Sequence, residues 1–311
     1  MKKMELRLKQ VRGNTWTVTG PQLIPLYLTG DGRCILLDTG PIYVREALEE
    51  LLERENLSVA GIIGTHTHFD HFGNGRYFQK KLGIPVALSI GEAETCRTYA
   101  SIKSFLFAYP AGQVMADPKL EALACRADIL VDVDGTSVDI AGVTFGVKRT
   151  PGHSPDHISI ITPDNVCYAG DALLSAESLL RTKLPYAFNF AQSLESMESF
   201  RGCGYDAMIM AHAGIAEGSY DALVDDNISH MKQQIDYVCS LVDHPMSGGA
   251  ICGRVKKEMN IRTDTTEKAQ NLERFVRPYL ECLIDEKRLN LILYDDSLCY
   301  APPGFEGQEA S

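Results

Sequence analysis

The sequence predicts an α/β layered fold with a helical C-terminal part, on three observations. Short runs of strand-forming residues alternate with amphipathic helical stretches through the first two thirds of the chain. Several apolar runs end directly in a histidine or an aspartate. From Ser219 onward the spacing of apolar residues becomes helical.

Residues 5–38 read as β-structure: Trp16-Thr17-Val18-Thr19 and residues 23–29 are strand formers set apart by Gly13-Asn14 and Gly20-Pro21. Gly30-Asp31-Gly32 turns the chain into Cys34-Ile35-Leu36-Leu37-Asp38. Residues 44–55 place Ala47, Leu48, Leu51 and Leu52 at helical spacing, and residues 59–64 form a buried strand ending at the first histidines. Residues 91–128 are rich in Ala and carry Tyr99, Phe105, Phe107 and Tyr109; they predict a helical insertion, either structural or a lid and pocket wall. Strand signals return at residues 129–131, 138–150, 157–161 and 166–169. Beyond Ser219, residues 227–242 form one helix, Ser247 caps a second, and residues 265–287 form a third that Pro278 kinks or divides. Residues 291–294 and 298–300 flank the turn Asp295-Asp296 as a hairpin, so three helices and a hairpin suggest a small winged-helix-like domain over residues 219–311. A loose tail is expected from Pro302 to Ser311.

Composition excludes several classes. A 311-residue chain with 45 % hydrophobic and 23 % charged residues is long enough to bury a sizeable core. Its net charge of -11 opposes a broad nucleic-acid interface, which needs many Lys and Arg contacts to phosphate. Charge continues through Lys9 and Arg12 after Met1-Lys2-Lys3, so no ordinary secretory leader is expected, and no apolar run approaches a membrane span. Nine scattered cysteines without a CxxC pair suit reduced thiols in a cytoplasm better than a disulfide framework.

The chemistry is concentrated in Thr65-His66-Thr67-His68-Phe69-Asp70-His71, which sets four ligand-type side chains within six residues after an apolar strand. In an extended segment His66 and His68 share a face, and a turn can aim Asp70 and His71 at a second point nearby. Imidazole and carboxylate suit zinc, and also iron or manganese. Thr150-Pro151-Gly152-His153, Tyr168-Ala169-Gly170-Asp171 and Ala211-His212-Ala213-Gly214 each follow a strand with one more ligand type, where open α/β sheets place their sites.

The HxHxDH run with its later TPGH, GD and AHAG signatures resembles the metallo-β-lactamase-fold hydrolases over roughly residues 5–218. The resemblance implies an αββα sandwich with a catalytic domain over residues 1–218 and two divalent metal ions, zinc before iron or manganese. It puts His66, His68 and His153 on one ion, Asp70, His71 and His212 on the other, and Asp171 between them. The last signature departs from the commoner PGHG, so its loop is open to difference while the ligand stays. His68 stands where diiron electron-transfer relatives carry a carboxylate, which argues against that branch. After TPGHSPDH the chain is similar to the branch with an appended winged-helix-like domain, which includes proteins similar to lactamase-like protein two. That branch implies thioester or ester hydrolysis, or RNA cleavage.

Two such ions holding a bridging water would supply hydroxide near neutral pH, with Asp70 orienting the water and accepting its proton. His157, Asp38 and Thr39 are read as outer partners or packing groups. Arg181, Lys183 and Tyr186 are in reach of an anionic substrate or else belong to a solvated loop, and His230 and His244 are read as structural. The expected substrate is a small thioester or ester, as for hydroxyacylglutathione hydrolases. The alternatives are a phosphodiesterase or endoribonuclease of the same fold, and a non-catalytic metal-binding regulatory module. Ten Lys plus Arg against sixteen Asp plus Glu beyond residue 218 oppose nucleic acid. A helical surface for homodimerisation or for walling the active site fits that part better.

Overall fold

The computed structural model describes residues 4–305; Met1–Lys3 and the end of the expected loose tail, residues 306–311, lie outside them. The chain opens with four strands, β1 (Arg7–Arg12), β2 (Thr15–Thr19), β3 (Ile24–Leu28) and β4 (Arg33–Leu37). A short 3-10 turn leads into helix α1 (Arg45–Arg54), which buries Leu48, Leu51 and Leu52 and returns the chain to β5 (Ser58–Ile63). Helices α2 (Phe69–Phe72) and α3 (Gly75–Leu82) precede β6 (Val86–Ser89). The insertion folds as helices α4 (Ile90–Cys96), α5 (Tyr99–Phe105), α6 (Ala111–Ala116) and α7 (Pro118–Leu123) before β7 (Ile129–Val131). These seven strands form one sheet in chain order, antiparallel from β1 to β4 and parallel from β4 to β7.

The second sheet comprises β8 (Ser137–Ile140), β9 (Val143–Arg149), β10 (Ile158–Ile161) and β11 (Val166–Gly170), then helices α8 (Ala176–Arg181) and α9 (Phe190–Glu198), then β12 (Ala207–Met210) and β13 (Gly214–Ala216). Only β11 and β12 run parallel in it, because α8 and α9 form the crossover between them. Helices α10 (Asp221–Ser240), α11 (Gly248–Glu258) and α12 (Thr266–Asp285) and a hairpin of β14 (Asn290–Tyr294) and β15 (Ser297–Ala301) complete the described chain.

Strand alternation sorts side chains into three cores. Ile35 and Leu37 of β4 meet Val166 and Tyr168 of β11 between the sheets. Cys34 and Leu36 face the other way, onto α1 and the insertion helices. Cys167 and Ala169, with Met208 and Met210, face a core shared with α9, α10, α11 and α12. Helix, sheet, sheet, helix is the layering that results, as the fold class required.

Several elements differ from expectation. The 138–150 run is two strands, because Ala141 and Gly142 take left-handed backbone at the hairpin turn, with φ of 50° and 82°. Strand β6 and helices α3, α8 and α9 carry too few patterned residues to be seen beforehand. Helix α10 starts at Asp221 rather than residue 227, since its polar first turns mask Val224, which is fully buried. Helix α12 runs unbroken through Pro278; packing of Val276, Tyr279, Leu280 and Leu283 outweighs the one backbone hydrogen bond proline removes. Ser247 caps α11 as expected, accepting from the Ala250 amide. No helix among the described residues is long and apolar enough to cross a membrane.

Candidate metal centre

All seven predicted ligand residues meet at one edge of the sandwich, at the C-terminal ends of β5, β9, β11 and β12. The chain leaves β5 through Gly64 and Thr65, so His66 is fully buried at the floor while His68 precedes α2. Helix α2 then presents Asp70 and His71. His153 sits on the loop after β9, Asp171 directly after β11, and His212 two residues beyond β12.

Two trios form. His66 Nε2 and His153 Nε2 each lie 3.0 Å from His68 Nδ1. Asp70, His71 and His212 make the second, with Asp70 Oδ2 at 3.9 Å from His71 Nε2 and 3.6 Å from His212 Nε2. Asp171 stands between them: Oδ1 is 3.2 Å from His71 Nε2, and Oδ2 is 3.3 Å from His153 Nε2 and 3.4 Å from His212 Nε2. Asp38, His66 and His71 also converge. Asp38, however, is committed elsewhere: it accepts from the Thr65 amide at 2.7 Å, Thr65 Oγ1 at 2.8 Å, His71 Nδ1 at 2.9 Å and the Tyr168 hydroxyl at 2.8 Å. It is an outer partner, held in left-handed backbone at φ 65°.

The partners settle which imidazole nitrogen is free. Thr65 spends its hydroxyl proton on Asp38, so it accepts from His66 Nδ1 at 3.0 Å and leaves Nε2 unprotonated. His153 Nδ1 donates to the Tyr186 carbonyl at 3.2 Å, which frees its Nε2 lone pair as well, and His71 Nδ1 donates to Asp38, which leaves Nε2 as the nitrogen facing Asp171 and Asp70. His71 Nε2 and Asp171 Oδ1 are buried and, 3.2 Å from each other, meet no hydrogen-bond partner outside the cluster. Converging lone pairs and orphaned donor atoms of the N and O type fit divalent cations, zinc above all.

Electrostatics divide the two trios. Burial, then the neighbouring imidazoles, hold His66 well below its ordinary range. His68 and His153 are depressed first by burial too. Burial also opposes charge on His71, but Asp171 and Asp70 beside it raise it well above the ordinary value. His212 is raised chiefly by Asp171. Asp171 is held well below the carboxylate range by His71, His212 and His153 despite its burial. The acid at the centre is therefore ionised, and the first trio is neutral, the form that ligates metal.

Outer groups fix the ligand loops. His157 is fully buried, donates Nδ1–H to Thr150 Oγ1 at 2.8 Å and accepts the Asp171 amide on Nε2 at 3.2 Å, which orients the central carboxylate. Glu92 of α4 escaped the sequence reading, because a glutamate in a polar helical stretch gives no signal. It is 1 % exposed; one oxygen accepts Thr67 N and Oγ1, and the other accepts Ser154 Oγ and Asp156 N. Of the three groups considered for substrate, Tyr186 lies at the cluster, its ring 5.7 Å from His68 and 5.6 Å from His153. Arg181 instead pairs with Glu177 at 2.6 Å, and Lys183 donates to the Met259 and Asn260 carbonyls. His230 bonds the Thr182 carbonyl at 2.9 Å, and His244 pairs with Asp243 on the surface. The altered last signature places Ala213 in left-handed backbone at φ 57°, and the Ser175 and Ser178 hydroxyls hold the His212 carbonyl.

Two cavities meet at the cluster, each about 340 Å³, and both are lined by His153, Asp171, Tyr186, His212 and Phe275. The first is walled by Ile102, Phe105, Leu106, Leu120 and Leu123 of the insertion, closed by Arg274 and Phe275 of α12. The second runs under α8 and α10, past Ser178, Thr182, Asn227 and His230. The insertion and α12 therefore wall the site together, and Tyr109 joins them by donating to Asn271 Oδ1 at 2.7 Å.

Known proteins give the same picture. The family model described as the metallo-beta-lactamase superfamily matches residues 25–212. Lactamase-like protein aptB of Emericella nidulans is 24 % identical over 232 residues, covering 73 % of this chain and 63 % of the relative. The beta-lactamase-like protein 2 homolog of Drosophila melanogaster is 27 % identical over 55 % of this chain and 53 % of its own length. The chain thus spans less than two thirds of each of these curated relatives. The crystal structure of a metallo-beta-lactamase family protein from Thermus thermophilus superposes with a TM-score of 0.71 at 20 % identity, covering 97 % of this chain and 99 % of that one. An overlap of that extent takes in the C-terminal helices. With more than half of its length matched by the family model, and with ligand-type residues gathered at one sheet edge, the chain belongs to the metallo-beta-lactamase superfamily.

Proposed function

We propose that the chain is a binuclear metal-dependent hydrolase of a small thioester or ester. The observation that carries this reading is the meeting of an apolar cavity and a more polar one at a double cluster joined by Asp171. A two-part molecule with an acyl group in one arm and a leaving group in the other would place its joining bond at the cluster.

His66, His68 and His153 would hold one cation, Asp70, His71 and His212 the second, with Asp171 shared. Zinc is the expected metal, with iron or manganese as the alternatives. When bound, such cations supply a water acidified toward about pH 7 and polarise the acyl oxygen. The chain supplies the rest. Asp70, 28 % exposed at the mouth of the cluster, takes the proton of the attacking water and returns it to the departing thiol or alcohol. Gln22 donates to the Asp70 carbonyl and fixes its loop. Apolar walls hold the acyl group and keep bulk water out, and Tyr186 flanks the reacting carbon. The water oxygen bonds to the carbonyl carbon as the C–S or C–O bond breaks, yielding a carboxylate and a thiol or alcohol.

The test is turnover of matched acyl-thioester and phosphodiester substrates by zinc-loaded protein, with Asp70→Ala beside it. Thioester hydrolysis reduced about 100-fold or more in a folded Asp70→Ala protein is the expected result. An active Asp70→Ala protein would remove its assigned role. Phosphodiester cleavage alone would replace the substrate class, and two bound metals with no turnover of either would point to another chemistry or a binding module.

A further inference from the structure

Arg274 of α12 is half-buried in the wall of the apolar cavity, in company with His68 and Asp171. Among the described residues no carboxylate is in ion-pair range of its guanidinium. Three other arginines of the C-terminal helices and the segment after them are paired: Arg277, one turn on, holds Glu281 at 2.9 Å, and Arg254 and Arg288 hold Asp243 and Asp236. Arg274 instead lies over two rings, 5.3 Å from the centre of Phe105 and 5.9 Å from that of Tyr186. Those rings stand 5.8 and 5.7 Å from the His68 imidazole. The cation is thus one aromatic ring away from the metal cluster.

A partly desolvated guanidinium without a counter-ion is costly, and its planar fork matches a carboxylate with two parallel hydrogen bonds. It is also held ready. Leu272 and Val276 anchor α12 in the core, while Asn271 and Gln270 tie it to the insertion through Tyr109 and the Ala108 carbonyl. A preorganised group loses less on binding than a free one. In a chain of net charge -11, such a cation is a local exception that discriminates in favour of anions.

We propose that Arg274 is a specificity-determining residue that binds a carboxylate borne on the acyl portion of the substrate. The preferred substrate then has an apolar or aromatic acyl body with a negative group one ring's width from the bond that breaks. This rests on the hydrolase reading above, so the experiment separates the two.

Calorimetry would compare 4-phenylbutyrate with its uncharged amide, on zinc-loaded and on chelator-treated protein. In both states the carboxylate should bind about tenfold or more tightly than the amide. In the chelator-treated protein the preference should vanish in Arg274→Gln and return in part in Arg274→Lys, with circular dichroism confirming the fold. The chelator-treated arm removes direct carboxylate–metal binding and needs no turnover, so it stands even if thioesters are not the substrate. A preference that survives Arg274→Gln in chelator-treated protein, or that is absent from chelator-treated wild-type protein, overturns the proposal. In a second arm, thioesters carry a carboxylate on the acyl or on the thiol side, each with its methyl ester. The acyl-side preference in kcat/KM should fall about tenfold in Arg274→Gln; a fall confined to the thiol-side pair would overturn the acyl assignment.

Discussion

Glu92 ties the loop of His66 and His68 to the loop of His153 through four donors shared between its two oxygens. Burial raises its pKa against the hydrogen bonds from Ser154 and Thr67 that favour the carboxylate. A glutamine keeps one acceptor oxygen but turns an NH2 toward donors on the other side. Glu92→Gln should therefore cost about 1–3 kcal/mol in chemical denaturation and weaken zinc in a chelator competition. Unchanged values for both would show that the two loops are held without it. Nothing in Ile90-Gly91-Glu92 announces this role, just as nothing in the sequence separates Arg274 from Arg277. Both distinctions depend on what lies opposite in space.

At the scale of elements, the candidate ligands come from strand ends, and glycines set how the chain turns after β9 and β11. Gly170 closes β11 at φ 56°, and a Cβ there would fall 2.6 Å from His157 Nε2 and 3.0 Å from Thr65 Oγ1. Gly152 turns at φ 126°, where a Cβ would meet the Ser193 backbone at 2.2 Å. Gly170→Ala should lose about 1–3 kcal/mol through backbone strain, with a further loss as the His157 ring is displaced. Because His157 orients the Asp171 amide, zinc affinity should fall with stability; normal zinc affinity in the variant would show that the contact with His157 is dispensable. Strands flanking the motifs were legible from apolar runs, and α1, α11 and α12 from helical spacing. Strand β6 and helices α8 and α9 were not, because they are short and their burial depends on neighbouring layers.

Across the whole molecule, three cores stack the layers, and the two outer ones bring the insertion and α12 over the same edge. That assembly crowds six imidazoles and their carboxylates into little solvent, so metal-free stability must respond to pH. His66, His68, His153 and His157 are depressed from 6.5, chiefly by burial, so the unfolded chain takes up more protons as pH falls below 6.5 and stability is lost there. His71 and His212 are raised, so their contribution is complete below 6.5 and is lost as pH rises through their folded values. Chelator-treated protein should thus melt at its highest temperature near pH 6.5. A melting temperature that climbs steadily from pH 5 to 9 would contradict these assignments. Zinc bound at the second trio would take the place of the His71 proton, so the gap between loaded and stripped protein should widen with pH.

The seven ligand-type residues, their order and the strands delivering them were determined by local sequence, because a metal site needs fixed donor types at strand ends. The layered fold was legible for the same kind of reason: burial on one face imposes a period of two or 3.6 on the chain. Tertiary structure alone decided which nitrogens face the centre of the cluster, since that depends on Thr65, Asp38 and Tyr186 arriving from distant segments. It also decided that the insertion and α12 share one wall, and that Arg274 stands in it without a counter-ion among the described residues. Charge and spacing in one dimension do not record what a side chain meets across the fold.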